Sequence, residues 1–142
     1  MSADGFVASV EADVCRAVLE ALRGDSEVQA VLGAPARLFD DETQGPAYPY
    51  AVLERHEYLD AGAAMSCAQE HLIRIATYSR HDGHYEAKSI LGALRAGVER
   101  LSLSLPGQNL VLAHVTYCDA MRTRDRRLFR GVFQFRLVIE EA

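Results

Sequence analysis

Two long segments of the chain repeat apolar residues every three or four positions, which is the spacing of one face of an α-helix. The first covers residues 4–23 and ends before Gly24, a residue type that suits the position after a helix. Between the long segments, "SEVQAVLG" predicts a short helix that Asp25 or Ser26 can cap. The second long segment, residues 84–101, has an apolar stripe made of Ala87, Ile90, Leu91, Leu94, Val98 and Leu101.

Four other segments alternate apolar and polar residues, as a strand does when one face is buried. They cover residues 49–58, 69–78, 110–117 and 130–140, and a short strand is also expected at Arg37–Phe39. A hairpin connection is predicted within "CDAMRTRDRRLF", between the last two strands. In the first strand the alternation sets two faces against each other: Tyr50, Val52 and Glu54 against Ala51, Leu53 and Arg55.

The strands follow one another at hairpin-like spacing, which favours an antiparallel sheet. Each long helix needs an apolar surface to cover, and one sheet face supplies it. We therefore expect an α+β fold, an antiparallel β-sheet of about four strands with two long helices packed on one face. Gly92 and Gly97 weaken the second long helix and are expected to allow close packing on the sheet. The predicted core includes Val14, Val18, Leu91, Leu94, Val98, Phe133 and Phe135.

Composition narrows the class of protein. The 142 residues are expected to form a single domain over residues 1–142. The net charge of −5 argues against a general nucleic-acid binder, which is usually basic. No apolar run approaches the roughly 20 residues of a membrane span, and the N-terminus lacks the features of a signal peptide. The three cysteines, Cys15, Cys67 and Cys118, form no CxxC pair, so reduced thiols are expected.

The segment "SRHDGHYEA" concentrates His81, Asp82, His84 and Glu86, residue types that bind metals and transfer protons. It also lies where a strand ends and a helix begins, and Asp82 or Gly83 can serve as the helix N-cap. We favour the capping interpretation, without bound metal, cofactor or catalytic residue. The competing hypothesis is a small metal-binding protein or enzyme centred on His81, Asp82 and His84. The remaining histidines, His56, His71 and His114, fall on separate predicted strands.

The segment "RTRDRRLFR" is unusually rich in arginine and contains one carboxylate, Asp125. It is either a solvated hairpin tip or a surface that docks an acidic partner or phosphate. A further hypothesis is a nucleic-acid-binding module that uses the Arg122–Arg130 hairpin. Elsewhere in the chain, the Gly45–Tyr50 loop carries large amphipathic side chains of the kind found at interface centres. The candidate partner-contact residues are Tyr48, Tyr50, Arg122, Arg124, Arg126 and Arg127.

Four segments in order resemble one known family. They are "LRGDSEVQAVLG", "ARLFDDETQGPAYPYAVL", "EHLIRIATYSRHDGHYEAKSILGALRAGV" and "LSLPGQNLVLAHVTYCDAMRTRDRRLFRGVFQFRLVIE". The second includes the family's Pro-Tyr entering a strand, at Pro49–Tyr50, and the third a polar turn before an "EAK" helix. Over about residues 12–140 the chain is similar to the tail terminator, or tail-completion, family of long-tailed bacteriophages and gene transfer agents. The resemblance rests on the order and spacing of these four segments in the chain.

The resemblance implies a structural protein without catalysis or cofactors. It further implies that the subunits form a homo-hexameric ring that caps the head-proximal end of the tail tube and stops its growth. The implied partners are other copies of the chain, the tail tube protein and the head-completion, or stopper, protein. The resemblance also implies that DNA passes through the lumen without sequence-specific binding and that no membrane is involved. The implied location is the head–tail junction of the particle, after assembly in the bacterial cytoplasm.

Overall fold

A computed structural model describes residues 9–60, 68–80 and 83–142. One sheet has the strand order β1-β2-β3-β5-β4, in which β1 and β2 are parallel and the other neighbours antiparallel. This confirms the α+β class, while the two-residue β1 raises the count from four strands to five. The elements are α1 (Val10–Arg23), α2 (Ser26–Leu32), β1 (Leu38–Phe39), β2 (Tyr50–Asp60), β3 (Ala68–Ser79), α3 (Tyr85–Glu99), β4 (Gln108–Arg122) and β5 (Phe129–Glu141).

The first two helices begin at side-chain caps. Ser9 has an extended backbone, and its Oγ accepts a hydrogen bond from Ala12 N at 3.1 Å, so α1 begins at Val10. The prediction that this helix begins at residue 4 was therefore wrong, although residues 4–8 lie outside the described part of the chain. Asp25 caps α2 as predicted, with Oδ1 accepting from Glu27 N at 3.0 Å and Val28 N at 3.2 Å.

The third helix begins one residue later than predicted. Gly83 has a φ of +93°, and His84, which follows it, is the N-cap without a side-chain capping bond. The proposed cap at Gly83 was therefore wrong, and Asp82 lies outside the described residues. Instead, Ser79 Oγ donates to Glu86 Oε1 at 2.6 Å, so the end of β3 holds the first turn of α3. The helix ends at Glu99, two residues before the predicted limit.

The helices cover one face of the sheet, and the core lies between the two layers. Odd-numbered residues of β3, and of β5 as far as Ile139, point toward the helices and are buried, as Ile75 and Phe133 are. The opposite face, called here the open face, carries polar pairs such as Arg74 Nε donating to Gln134 Oε1 at 2.7 Å. All the predicted core residues are buried: Val14, Val18, Leu91, Leu94, Val98, Phe133 and Phe135. No helix in the described ranges is long and apolar enough to cross a bilayer.

A bulge changes the faces of β2. Its register with β3 shifts between Leu53 and Arg55, which leaves Glu54 as the extra residue. Arg55 then pairs with Arg74 on the open face, the same face as Tyr50. The simple alternation, which set Arg55 opposite Tyr50, was therefore wrong after Leu53, because a bulge shifts the period of two by one residue.

Gly97 serves a contact other than the one predicted. A Cβ at this position would lie 3.0 Å from Leu22 Cδ2 and 3.4 Å from Val28 Cγ2. The glycine thus lets α3 approach α1 and α2, not the sheet. A Cβ at Gly92 would meet nothing within 4 Å. The glycine that the sheet requires is Gly131, where a Cβ would lie 2.2 Å from Thr77 Oγ1.

Candidate interaction surfaces

The hairpin between β4 and β5 is shaped by its own polar groups. Thr123 N donates to Leu128 O at 2.8 Å, and Arg126 has a left-handed φ of 62°. Asp125 Oδ1 accepts from Thr123 Oγ1 at 2.6 Å and from Arg127 N at 3.1 Å. The bond from Thr123 is the main cause that lowers the pKa of Asp125. The segment's one carboxylate is therefore engaged in the turn itself.

The arginines around this turn have different surroundings. The Arg122 guanidinium lies 4.5 Å from the centre of the Phe129 ring, and its Nη1 donates to Arg126 O at 3.0 Å. Arg130 pairs with Glu54 across the open face. The remaining three, exposed on the turn, are Arg124, Arg126 and Arg127. The predicted hairpin is confirmed, but the connection is shorter than expected because β4 continues to Arg122.

The predicted tyrosine pair belongs to an aromatic cluster at the start of β2. Tyr50 stacks on Tyr78 with ring centres 5.0 Å apart and meets the edge of Tyr48 at 5.2 Å. The Arg80 guanidinium lies 4.1 Å above the Tyr48 ring. Burial, followed by the neighbouring Tyr48, raises the pKa of Tyr50. Both tyrosines are half-buried, so each combines a packing role with an exposed edge.

The sheet register brings the tyrosines and the arginine hairpin to one end of the molecule. Tyr50 is opposite Tyr78, Tyr78 is opposite Arg130, and Arg130 is opposite Met121 at the end of β4. We call this the turn end. The sequence shows both groups but not that they share an end, because that depends on β5 inserting between β3 and β4.

A histidine pair that sequence reasoning assigned to separate strands forms a polar contact on the helix side of the sheet. His56 Nε2 and His71 Nδ1 are 2.7 Å apart, and His71 Nε2 is 2.7 Å from Gln69 Oε1. Burial lowers the pKa of His56, and it lowers that of His71 to about 4 with a further contribution from His56. The two histidines do lie on separate strands, as predicted, but β2 and β3 are paired neighbours. Predicting a hairpin between these strands would have indicated that the two side chains lie close together.

Of the three residues in the metal-site hypothesis, only His84 lies within the described part of the chain. His81 and Asp82 lie outside the described residues, and the exposed His84 has its ring centre 4.6 Å from that of Phe129. Within the described ranges, no group of three His, Cys, Asp or Glu side chains could hold a metal ion. Burial raises the thiol pKa of both Cys15 and Cys118, which disfavours their reactive thiolate form.

The two lateral edges of the sheet are largely open. β4 is the last strand at one side, with register shifts after Leu110 and after Val115. At the other side β1 pairs with β2 only at Ala51 and Val52. The exposed large apolar side chains of β4 are Val111, Leu112, Tyr117 and Met121. Strand edges and exposed apolar patches of this kind mark sites where another chain can dock.

Comparison with known proteins agrees with these features. The chain is similar, at 23% sequence identity and a TM-score of 0.81, to a chain in a solved structure described as the virion of a native gene transfer agent particle. The alignment covers 94% of this chain and 99% of that one. No curated protein sequence matches it. The family model described as tail completion protein gp17 matches residues 16–140. Because this match takes in both helical and strand layers and most of the chain, the protein belongs to the tail completion protein gp17 family.

Proposed function

We propose that this protein is a structural subunit of the tail of a phage or phage-like particle, where copies form a hexameric ring at the head–tail junction. The ring caps the tail tube, stops its growth and joins it to the head-completion protein. The observation that carries the proposal is the family match over residues 16–140. The fold shared with a gene transfer agent virion chain supports the particle context.

The shape of the subunit suits a ring. A closed ring needs a heterologous contact, in which one surface of a subunit meets a different surface of its neighbour. The β4 edge and the β2 edge are two different surfaces on opposite sides of one sheet. They give each copy two neighbours without using the same patch twice.

The turn end supplies the proposed contacts along the tail axis or between subunits. Exposed arginines suit charge-assisted hydrogen bonds to acidic groups of the tube or stopper protein. Partly exposed tyrosines provide apolar area next to them. The residues proposed to make these contacts are Tyr48, Tyr50, Arg122, Arg124, Arg126 and Arg127. The net charge of −5 suits a lumen through which DNA passes without sequence-specific binding.

The test is charge reversal at the hairpin. Arg124→Glu/Arg127→Glu should leave the subunit folded, because both side chains are exposed beyond the sheet. Electron microscopy should then show tails of abnormal length, or tails that do not join heads. Arg16→Glu, an exposed change on α1, is the matched control and should give normal particles. Normal tails from the double variant would remove the hairpin from the contact, and normal tails after deletion of the gene would refute the proposed function.

A further inference from the structure

A groove on the helix side of the β4 edge is lined by basic side chains. His84, Lys88 and Arg95 project from α3 toward Cys118 and Ala120 of β4, and the groove has a volume of about 410 Å³. We call it the basic groove. The three basic side chains are exposed, and Lys88 is the one lysine of the chain. Asp119 contributes the only carboxylate to the described lining, so positive charge prevails.

The lateral edge of the sheet farthest from β4 carries an acidic segment, Asp40–Glu42. Its three carboxylates are consecutive and exposed. Asp41 and Glu42 follow β1 and lie beside Val52 of β2, in a pocket of the open face that Arg130 also lines. Arg130 pairs there with Glu54, and within the described residues no side-chain ion pair joins Asp41 or Glu42 to a basic group.

The acidic segment and the basic groove lie at the same height on the sheet. Leu53, beside the acidic segment, is opposite Ile75, and Ile75 is opposite Phe133. Phe133 is in turn opposite Cys118, which lines the basic groove. A straight row of paired residues thus connects the two charged surfaces across β2, β3, β5 and β4.

These surfaces cannot satisfy each other within one subunit. Neighbouring strands are spaced about 4.8 Å apart, so the three intervals from β2 to β4 separate them by about 14 Å, with the sheet between. In a head-to-tail ring whose subunits overlap at their edges, the open face of one copy beside β2 would cover the helix side of the next copy beside β4. The acidic segment, which lies on the open face, and the basic groove, which lies on the helix side, would then meet at equal height.

We propose that the acidic segment of one copy docks into the basic groove of its neighbour. The partner is a second copy of this chain, and the contact rests on the proposed ring. Charge complementarity of this kind selects the correct neighbour and fixes register more than it adds affinity. The groove's volume suits a short peptide segment, and Lys88 and Arg95 supply cations for the carboxylates of Asp40–Glu42.

The experiment replaces the gene in a strain that produces the particle and counts complete particles. Lys88→Glu/Arg95→Glu and Asp41→Lys/Glu42→Lys should each lower the yield by about ten-fold or more, because like charges then face each other across the interface. Combining the four substitutions restores opposite charges and should recover most of the yield. Circular dichroism and thermal unfolding of the purified variants check that the fold is retained.

An exposed charge exchange on α1, Arg16→Glu/Glu20→Lys, is the control and should leave the yield unchanged. The yield from the quadruple variant could also stay at or below the yield from the weaker of the two double variants. That result would show that the groove and the segment bind separate partners, and it would overturn the proposal. An unchanged yield from either pair would do the same. Deletion of the gene distinguishes a failure of this contact from a failure of the proposed tail function. If deletion abolishes complete particles while the reversals do not matter, only this contact is refuted; if deletion is harmless, the tail function falls too.

Discussion

The strands β5 and β4 are hydrogen-bonded neighbours of similar length, yet the chain uses them in opposite ways. β5 lies between β3 and β4, and every second residue from Phe129 to Ile139 is buried under the helices. β4 lies at the edge, has two register shifts, and leaves Val111 and Met121 more than half exposed, at 54% and 61%. Burial on β5 stabilises the subunit, whereas apolar exposure on β4 does nothing for an isolated copy.

The difference shows that strand length and composition do not determine a strand's role. A buried phenylalanine side chain such as Phe135 contributes stability through the apolar area it removes from water. An exposed apolar side chain on an edge gains this energy only when a partner covers it. We infer that the buried side chains of β5 mainly stabilise the folded subunit, whereas the exposed apolar side chains of β4 mainly serve contacts with other subunits. The predictions below test this division.

The largest expected effect is at the centre of β5. Phe135→Ala should reduce the free energy of unfolding by about 3–5 kcal/mol, because it opens a cavity at a fully buried position. Tyr117→Ala on β4, where the side chain is 49% exposed, is the matched aromatic truncation and should cost much less. Chemical denaturation of both variants measures the difference. Equal losses would show that the edge strand carries as much stability as the central one.

The second prediction concerns pH and the histidine pair. The pKa of His71 is about 4 in the folded chain and about 6.5 when unfolded, so the unfolded state binds more protons between these values. Stability should therefore be unaffected by this residue above pH 6.5 and should fall as the pH drops toward 4, by at most about 1.4 kcal/mol per pH unit.

Denaturation curves between pH 7 and pH 4 test this. His71→Leu removes the titrating group and should flatten the pH dependence relative to the wild type, whatever its stability at pH 7. His114→Gln, on the exposed part of β4, is the control and should keep the wild-type slope. An unchanged slope in His71→Leu would mean that other groups cause the acid loss.

The third prediction compares two glycines. Gly131→Ala should destabilise the chain by about 1–3 kcal/mol, because its Cβ would overlap the buried Thr77 Oγ1. Gly92→Ala, in the middle of α3 with open space around it, should stabilise by up to about 1 kcal/mol. Thermal unfolding of both variants provides the measurement. Recovery of stability in Gly131→Ala/Thr77→Ala would identify the Thr77 side chain as the obstacle, and its absence would point to Leu91, whose Cδ2 would lie 3.3 Å from the added Cβ.

Much of this fold could be predicted from periodicity. Alternation identified β3 and β5 and their buried faces, because both strands keep a strict period of two over a helix-covered core. It failed in β2 at Arg55, since a bulge at Glu54 is not visible in the pattern. It also underestimated β4, which continues past Tyr117 to Arg122, because an edge strand with bulges lacks the alternation of a half-buried one.

The candidate surfaces were predictable only in part. The composition of "RTRDRRLFR" and the Tyr48–Tyr50 pair are visible in the sequence, but their shared end follows from the strand order. The acidic segment and basic groove likewise depend on register between strands far apart in the chain, whereas the histidine pair depends on the pairing of the consecutive strands β2 and β3. Local patterns carry secondary structure, whereas long-range pairing determines which side chains meet.

The smallest effect on stability, and the sharpest test of the division, is at the edge itself. Val111→Lys and Met121→Lys place charges on exposed positions of β4, where surface substitutions usually change stability by no more than about 0.5 kcal/mol. Charged side chains on an edge block its pairing with another chain. Unfolding of the purified variants should therefore match the wild type, while the yield of complete particles should fall. Ala30→Lys, an exposed change on α2, is the control and should affect neither. Normal yields from both edge variants would refute the assembly role of β4, and a large loss of stability would show that the strand belongs to the folding core after all.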